Sequence, residues 1–199
     1  MSAHEDIKIS EHIRIETALD ASIYLEEFVR HRIKYFQSKA DSELVFTFIF
    51  LQIYIECFLH QNMRRIIDFE FKPPRNNIQL QWANAETLNI REKVDNFITL
   101  FFAPVPQQVQ SVGGIIKNHF KQINDMRNLF AHGHKVATWS DSDGNSGSST
   151  AKLLLTEAQL AQSVFKVNEL GVAWNALLDA VLLQCKALRG VEDFKFPTL

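Results

Sequence analysis

Apolar residues recur every three to five positions through most of the chain, with charged residues between them. This spacing places the apolar side chains along one face of a helix. Prolines at 73–74 and at 104 and 106 separate the periodic stretches, since the residue before a proline disfavours the helical conformation. The pattern predicts four successive helices: one over 15–38, a strongly apolar one from Asp41 to Phe69, one over 85–102, and one that begins at Gln107 or Ser111 and ends at His132.

The second of these helices has the most ambiguous composition. Residues 44–59 are apolar enough to suggest a membrane span, but sixteen residues interrupted by Gln52 and Glu56 are fewer than the roughly 20 that a bilayer requires. The alternation over 45–50 is also compatible with a β-strand. Helix is favoured because neither Gly nor Pro occurs between Asp41 and Lys72. We therefore expect a buried central helix and no membrane association.

The spacing of the apolar residues changes after His132. Two short β-prone runs, 134–139 and 151–155, flank the Ser, Gly and Asp-rich sequence SDSDGNSGSST. This pattern predicts a small β-hairpin with a mobile loop over 140–150. Thr156 and Gln159 then fit a capping box that opens a last helix, ending near Leu188. The predicted fold is all-α, a bundle of about five helices with the hairpin inserted between the fourth and the fifth, in a single domain over 1–199 with a flexible tail over 1–12.

Composition narrows the functional classes. The formal net charge is -2, with 21 Lys and Arg against 23 Asp and Glu, so no global basic field favours nucleic acid and any such contact must be local. Cys57 and Cys185 lie in apolar helical patterns and are expected to be packed, reduced thiols. The first residues lack both a basic and an apolar segment, so the expected location is the cytoplasm.

Familiar metal and nucleotide motifs do not occur. In the loop that starts at Asp141, Ser146 and Lys152 stand where a calcium loop requires Gly and Glu. The chain contains no zinc-type Cys and His spacing, no HExxH, no phosphate-binding GK[ST] loop, no GxGxxG and no GxSxG. The sequence therefore predicts neither a metal nor a cofactor.

An arginine interrupts the apolar stripe of the fourth helix. Ile116, Phe120, Ile123 and Phe130 follow a helical spacing in which the missing position is Arg127. A guanidinium keeps its charge, so a packing face is unfavourable for it unless it meets an acid, a phosphate or a wet cleft. Two interpretations stay open: Arg127 pairs with a carboxylate such as Glu56, or it serves a functional site.

His132 follows in the last turn, where the helix dipole favours a protonated imidazole. Asn128 lies four residues before His132 and shares its face, with Asp125 a turn earlier. A helix C-terminus repels phosphate, so a phosphodiester requires cations that outweigh the dipole. The available groups are Arg127, His132, His134 and Lys135.

The string Arg-Asn-Leu-Phe-Ala-His, from Arg127 to His132, resembles the RNxxxH signature of the HEPN superfamily, α-helical domains found in many prokaryotic toxin and defence ribonucleases. The resemblance implies a metal-independent endoribonuclease, usually a homodimer whose two motif helices face across a cleft. Arg127 would hold the scissile phosphate and Asn128 would orient the histidine or the phosphate. His132 would act as general acid or base while a ribose 2′-OH attacks, which gives a 2′,3′-cyclic phosphate.

Polar residues on the second helix are candidate supporting groups. Gln52, Glu56 and His60 recur every four residues and predict a polar stripe through the core, with Arg127 as a partner. Glu56 either neutralises Arg127 and fixes the helix register or helps to orient substrate. Arg64 and Arg65 are expected on a solvated face.

A non-catalytic alternative comes from a different class. Many HEPN-like proteins, and the similar mannitol-operon-repressor-like proteins, resemble binding or regulatory modules. The slightly negative charge and the 16 phenylalanines fit a helical protein interface, with an antitoxin or a regulator as partner. A third interpretation is a structural dimer that the motif holds together.

Overall fold

The computed structural model describes residues 20–70, 88–131, 135–140, 146–151, 157–185 and 194–199. Five helices lie in these ranges and confirm the predicted all-α bundle. The predicted tail over 1–12 lies outside the described residues. The helices are α1, Ala21–Ser38; α2, Asp41–Glu70; α3, Ile90–Phe101; α4, Gln107–Ala131; and α5, Glu157–Gln184.

The order of the helices in space places α2 and α4 at the centre. Helix α1 packs on α2, α2 packs on α4, and α4 packs on α5. Helix α3 contacts both central helices. Arg127, on α4, therefore belongs to one of the two helices that the others surround.

Helices α1 and α3 begin later than the periodicity predicts because caps set their first residues. Asp20 has an extended backbone, and its carboxylate accepts the Ser22 N–H at 3.1 Å. Asn89 forms a capping box with Glu92, so α3 begins at 90 instead of 85. The side chains of these caps satisfy N–H groups that no helical carbonyl can reach.

Helix α2 supplies much of the core, as its composition predicts. Its apolar side chains with no exposed surface are Leu44, Leu51, Ile55, Leu59, Met63, Ile66 and Ile67. By length and composition Asp41–Asp68 could cross a bilayer, and 44% of its most apolar window is buried here. Core helices of soluble proteins satisfy the same criteria, so this helix alone is weak evidence for a membrane span.

Two strands lie between α4 and α5. Strand β1, Lys135–Ser140, pairs antiparallel with β2, Ser146–Ala151, from Lys135 opposite Ala151 to Ser140 opposite Ser146. The second strand lies earlier than the run over 151–155 from which it was predicted. The predicted 140–150 loop includes Ser140 and 146–150, which pair in this register, while 141–145 lie outside the described residues.

Candidate functional site

Arg127 lies on α4, four residues before the helix ends at Ala131. It continues the face formed by Ile116, Phe120 and Ile123, all of which are buried, so the predicted inward stripe is present up to this residue. The side chain of Arg127 is half-buried, and its Nη2 donates to Asn124 Oδ1 at 3.2 Å. Its Nε is buried and donates to no acceptor among the described residues. Arg127 therefore has an unused donor next to the core.

Glu56 does not neutralise Arg127. Among the described side chains no ion pair joins the two residues. Glu56 is exposed and accepts a hydrogen bond from Gln52 Nε2 at 2.7 Å. Gln52 is buried, with 2% of its surface exposed, so the predicted polar stripe begins in the core and reaches solvent at Glu56. The ion pair of the first interpretation, which would fix the helix register, is thus absent from this part of the chain.

The other supporting residues have partners of their own. Asp125 is exposed and pairs with Lys121 at 2.7 Å. His60 Nδ1 lies 3.1 Å from Lys93 Nζ on α3. Asn128 is half-buried on the same last turn of α4 as Arg127. Among the predicted residues, Arg127, Asn128 and Asp125 lie on α4, and His60 and Glu56 lie on α2.

The remaining predicted residues lie at the edge of what the structure describes. His132 and His134 lie outside the described residues. Lys135 is the first residue of β1, so its backbone is placed by the pairing with Ala151. Helix α4 ends one residue before His132, close to the predicted end.

A histidine on α4, His119, was not among the predicted site residues. His119 is half-buried, and its Nδ1 is buried and makes no hydrogen bond within the described part of the chain. It lies eight residues before Arg127, which is about 80° around the helix. In the sequence, His119 lies four residues before Ile123 and directly before Phe120, so it borders the apolar stripe.

A cluster formed by His31, Glu27, Glu43 and Phe50 joins α1 to α2. His31 is buried, and its Nδ1 lies 2.6 Å from Glu43 Oε2, while Nε2 lies 3.6 Å from Glu27 Oε2. The imidazole stacks on Phe50 with 5.2 Å between ring centroids. The Glu27 and His31 spacing of four was a usable signal, whereas the contact with Glu43 depends on how the two helices pack. These contacts make the cluster a polar link at the start of α2.

Two further ionisable groups are held in their protonated forms. Burial raises the pKa of the Tyr54 phenol. Burial, and secondarily the charge of Glu56, raises the pKa of the Cys57 thiol. Neither side chain is therefore an activated nucleophile at neutral pH. Cys57 is half-buried, Cys185 is buried, and neither forms a disulfide in the described part of the chain.

Within the described ranges, no three His, Cys, Asp or Glu side chains come together in a group that could hold a metal ion.

The fold defines the chain as an all-α helical-bundle protein. Comparison with protein-family models, with curated proteins and with solved structures finds no match for this chain.

Proposed function

We propose that this protein is a metal-independent endoribonuclease of the HEPN type, with Arg127, Asn128 and His132 as its catalytic residues. The observation that carries the proposal is the state of Arg127: a half-buried guanidinium whose Nε has no acceptor among the described residues and which Glu56 does not neutralise. A charged group with an unused buried donor is unfavourable unless another acceptor is provided. A scissile phosphate would provide one.

Planar guanidinium donors suit a phosphodiester. They can give two parallel hydrogen bonds to phosphate oxygens and stabilise the extra negative charge of the transition state. Asn124, which already accepts from Arg127 Nη2, fixes one side of the guanidinium. Asn128, one residue along the helix, would orient the phosphate or the histidine.

His132 supplies the proton transfers. As the ribose 2′-oxygen attacks phosphorus, its proton passes to a neutral imidazole and the 2′-O–P bond forms. The P–O5′ bond breaks, and the departing 5′-oxygen takes a proton from a protonated imidazole. The products are a 2′,3′-cyclic phosphate and a free 5′-hydroxyl.

One histidine cannot be acid and base at the same moment. We therefore propose a homodimer in which two copies of the motif form a composite site, with RNA as substrate. His134 and Lys135 would add positive charge where the α4 dipole is negative. A toxin or defence role in the cytoplasm, with an antitoxin or regulatory protein as partner, is part of the same proposal.

Arg127 variants test the proposal on α4 itself. Arg127→Ala should abolish cleavage of a labelled RNA, and Arg127→Lys should leave a small fraction, because a lysine keeps the charge without the paired donors. Lys121→Ala is the matched control, since Lys121 is an exposed cation about 120° around the same helix. It should cut at the parental rate. Equal activity in Arg127→Ala and Lys121→Ala would refute the assignment.

One observation favours the non-catalytic binding module as a second candidate. Phe165, Val172 and Leu183 lie along one line of α5 and are 62%, 67% and 83% exposed. Aligned exposed apolar residues are typical of protein interfaces. If the parent cuts no RNA, and Leu183→Glu abolishes binding to a co-purifying protein while Glu169→Gln on the same helix does not, the module is the better account.

A further inference from the structure

The second half of α1 combines exposed apolar side chains with positive charge. Residues 28–40 contain Arg30, Arg32, Lys34 and Lys39 but neither Asp nor Glu, although the whole chain carries a formal net charge of -2. A concentration of one sign of charge raises the local concentration of ligands of the opposite sign. This part of α1 therefore has the local basic character that a chain without a global basic field needs in order to bind a polyanion.

The apolar side chains form a stripe on the outer side of the helix. Phe28 and Tyr35 are buried where α1 packs on α2. Val29, Ile33 and Phe36 lie about 80–140° around the helix from Phe28. They are 44%, 52% and 49% exposed. Roughly half of each of these side chains is thus open to a ligand.

Two cations lie next to the ring of Phe36. The guanidinium carbon of Arg32 is 6.0 Å from the ring centroid, and Lys39 Nζ is 5.1 Å from the same centroid. Exposed aromatic rings stack on the bases of single-stranded nucleic acids, and neighbouring Lys and Arg side chains bind the backbone phosphates. The three side chains have the composition of such a site.

The four cations divide between two faces of α1. Arg32 and Lys39 border Phe36, whereas Arg30 and Lys34 lie about 120° and 160° around the helix from it. Among the described residues, no carboxylate forms an ion pair with Arg32. Its charge is therefore not neutralised within this part of the chain. We call Val29, Arg32, Ile33, Phe36 and Lys39 together the α1 patch.

We propose that the α1 patch binds single-stranded RNA, with Phe36 stacked on a base and with Arg32 and Lys39 on the adjacent phosphates. The choice of RNA among polyanions rests on the proposed nuclease function. A bilayer is a poorer fit, because a helix that lies on a membrane presents a large apolar face. Here the apolar stripe consists of three half-exposed side chains with cations beside it.

The α1 patch is separate from Arg127. Helix α2 packs against both α1 and α4, and the axes of packed helices are about 8–10 Å apart. The axes of α1 and α4 are therefore separated by about 20 Å or less. A strand on the α1 patch is held beyond its scissile phosphate, so the patch adds affinity for RNA without taking part in bond cleavage.

An RNA strand that resists cleavage tests the patch independently of the nuclease. A labelled single strand with 2′-O-methyl groups lacks the attacking hydroxyl, and fluorescence anisotropy measures its affinity for the full chain at about 50 mM and 200 mM salt. Arg32→Gln with Lys39→Gln should lower the slope of log affinity against log salt by about 1.4, or roughly 0.7 for each phosphate contact. The parent should therefore lose about sevenfold more affinity than this variant between the two salt concentrations.

Arg30→Gln with Lys34→Gln is the matched control for charge. It removes two cations from the same helix on a face that does not include Phe36. This control should keep the salt slope of the parent. Equal slopes in the two double variants would show that RNA responds only to the overall charge of α1 and would overturn the proposal.

Phe36 variants test the stacking contact. Phe36→Ala should weaken binding about fivefold or more while leaving the salt slope unchanged, because stacking is lost and the phosphate contacts remain. Phe36→Trp should keep the affinity. Phe165→Ala removes a ring that is 62% exposed on α5 and should bind the strand as the parent does. Full affinity in Phe36→Ala would overturn the proposed stacking.

Binding and cleavage give separate answers. If the parent binds the strand through the α1 patch but cuts no RNA, the patch stands and the nuclease assignment fails. If the Arg32→Gln and Lys39→Gln variant cuts RNA with the KM and kcat of the parent, the nuclease stands and the patch is overturned. No binding of the strand by the parent at low salt, whether or not phosphatidylserine vesicles bind, would also overturn the patch.

Discussion

Replacing Gly171 with alanine probes how closely α5 and the segment 194–199 approach each other. Gly171 lies in the interior of α5 and is buried under the Phe196 ring. An added Cβ would lie 2.7 Å from Cδ1, 3.1 Å from Cγ and 3.3 Å from Cβ of Phe196. The first of these distances is too short for two carbons, so either the ring or the helix must move.

Two opposing effects set the magnitude. Alanine is favoured over glycine inside a helix by about 1 kcal/mol. Overpacking a buried site costs about 1–3 kcal/mol, because neighbouring side chains leave their preferred rotamers. The expected net result is a loss of roughly 0–2 kcal/mol in the free energy of unfolding.

The sign reverses when the ring is removed. In a Phe196→Ala background the Cγ and Cδ1 atoms are gone, so Gly171→Ala should stabilise the chain by up to about 1 kcal/mol. The coupling between the two substitutions is then about 1–3 kcal/mol. Gly114→Ala is the matched control, since a Cβ there meets nothing within 4 Å and should give the full helical gain in either background.

Urea unfolding followed by circular dichroism measures these differences, with equal m-values as the condition for comparing midpoints. We expect the urea midpoint of Gly114→Ala to lie above that of the parent and the midpoint of Gly171→Ala to lie at or below it. The coupling free energy between Gly171→Ala and Phe196→Ala should be positive. Gly171→Ala as stabilising as Gly114→Ala in the parent background would refute the close packing of Phe196 on α5.

Three further predictions concern other parts of the bundle. Asn89→Ala removes the capping box of α3 and should lower the free energy of unfolding by about 1 kcal/mol in the same urea assay. Glu43→Gln weakens the hydrogen bond to His31 that joins α1 to α2 and should cost roughly 1–3 kcal/mol at neutral pH. Cys57 should react with iodoacetamide more slowly than a free thiol, because burial and Glu56 raise its pKa and reduce the thiolate fraction; Glu56→Gln should increase the rate.

The Glu43→Gln prediction has a control in the same chain. Glu26→Gln changes an exposed carboxylate of α1 and should leave stability within about 0.5 kcal/mol of the parent. A loss equal to that of Glu43→Gln would show that the His31 contact adds nothing. Iodoacetamide labelling at the rate of a small-molecule thiol would contradict the environment assigned to Cys57.

Helix number and class follow from the sequence because a bundle buries one stripe of each helix, and that stripe leaves a periodic signature. Helix starts do not follow from periodicity. They depend on single side chains such as Asp20 and Asn89, whose bonds to the first N–H groups decide where the helix begins. The Asn89 and Glu92 spacing was nevertheless visible, so α3 could have been placed correctly from its cap.

The inward position of Arg127 was also predictable, since it fills the gap in an apolar stripe. The partner of Arg127 was not predictable from the sequence. A step of four residues rotates about 40° around a helix, and on α2 this carries the polar stripe from buried Gln52 to exposed Glu56. Helix packing decides whether Gln52 or Glu56 points toward α4, and no local sequence pattern encodes this packing.

The placement of the segment 194–199 lay beyond sequence reasoning for a similar reason. Six residues carry no periodic signal of their own, and their partners, Asn168 and Asn175, are about 20–30 residues away. The two asparagines interrupt no stripe and are common helix-surface residues. Their role depends on the return of the chain along α5.

Cleavage of one oligonucleotide in two chemical forms tests the central claim most directly. The parent protein and His132→Ala are incubated, with EDTA present, with a labelled RNA strand and with the same strand carrying 2′-deoxyribose throughout. Cleavage of the RNA alone by the parent alone, leaving 2′,3′-cyclic phosphate ends, is the result that the Arg127 and His132 mechanism predicts. Equal cleavage by His132→Ala, or cleavage of the deoxy strand, would contradict it.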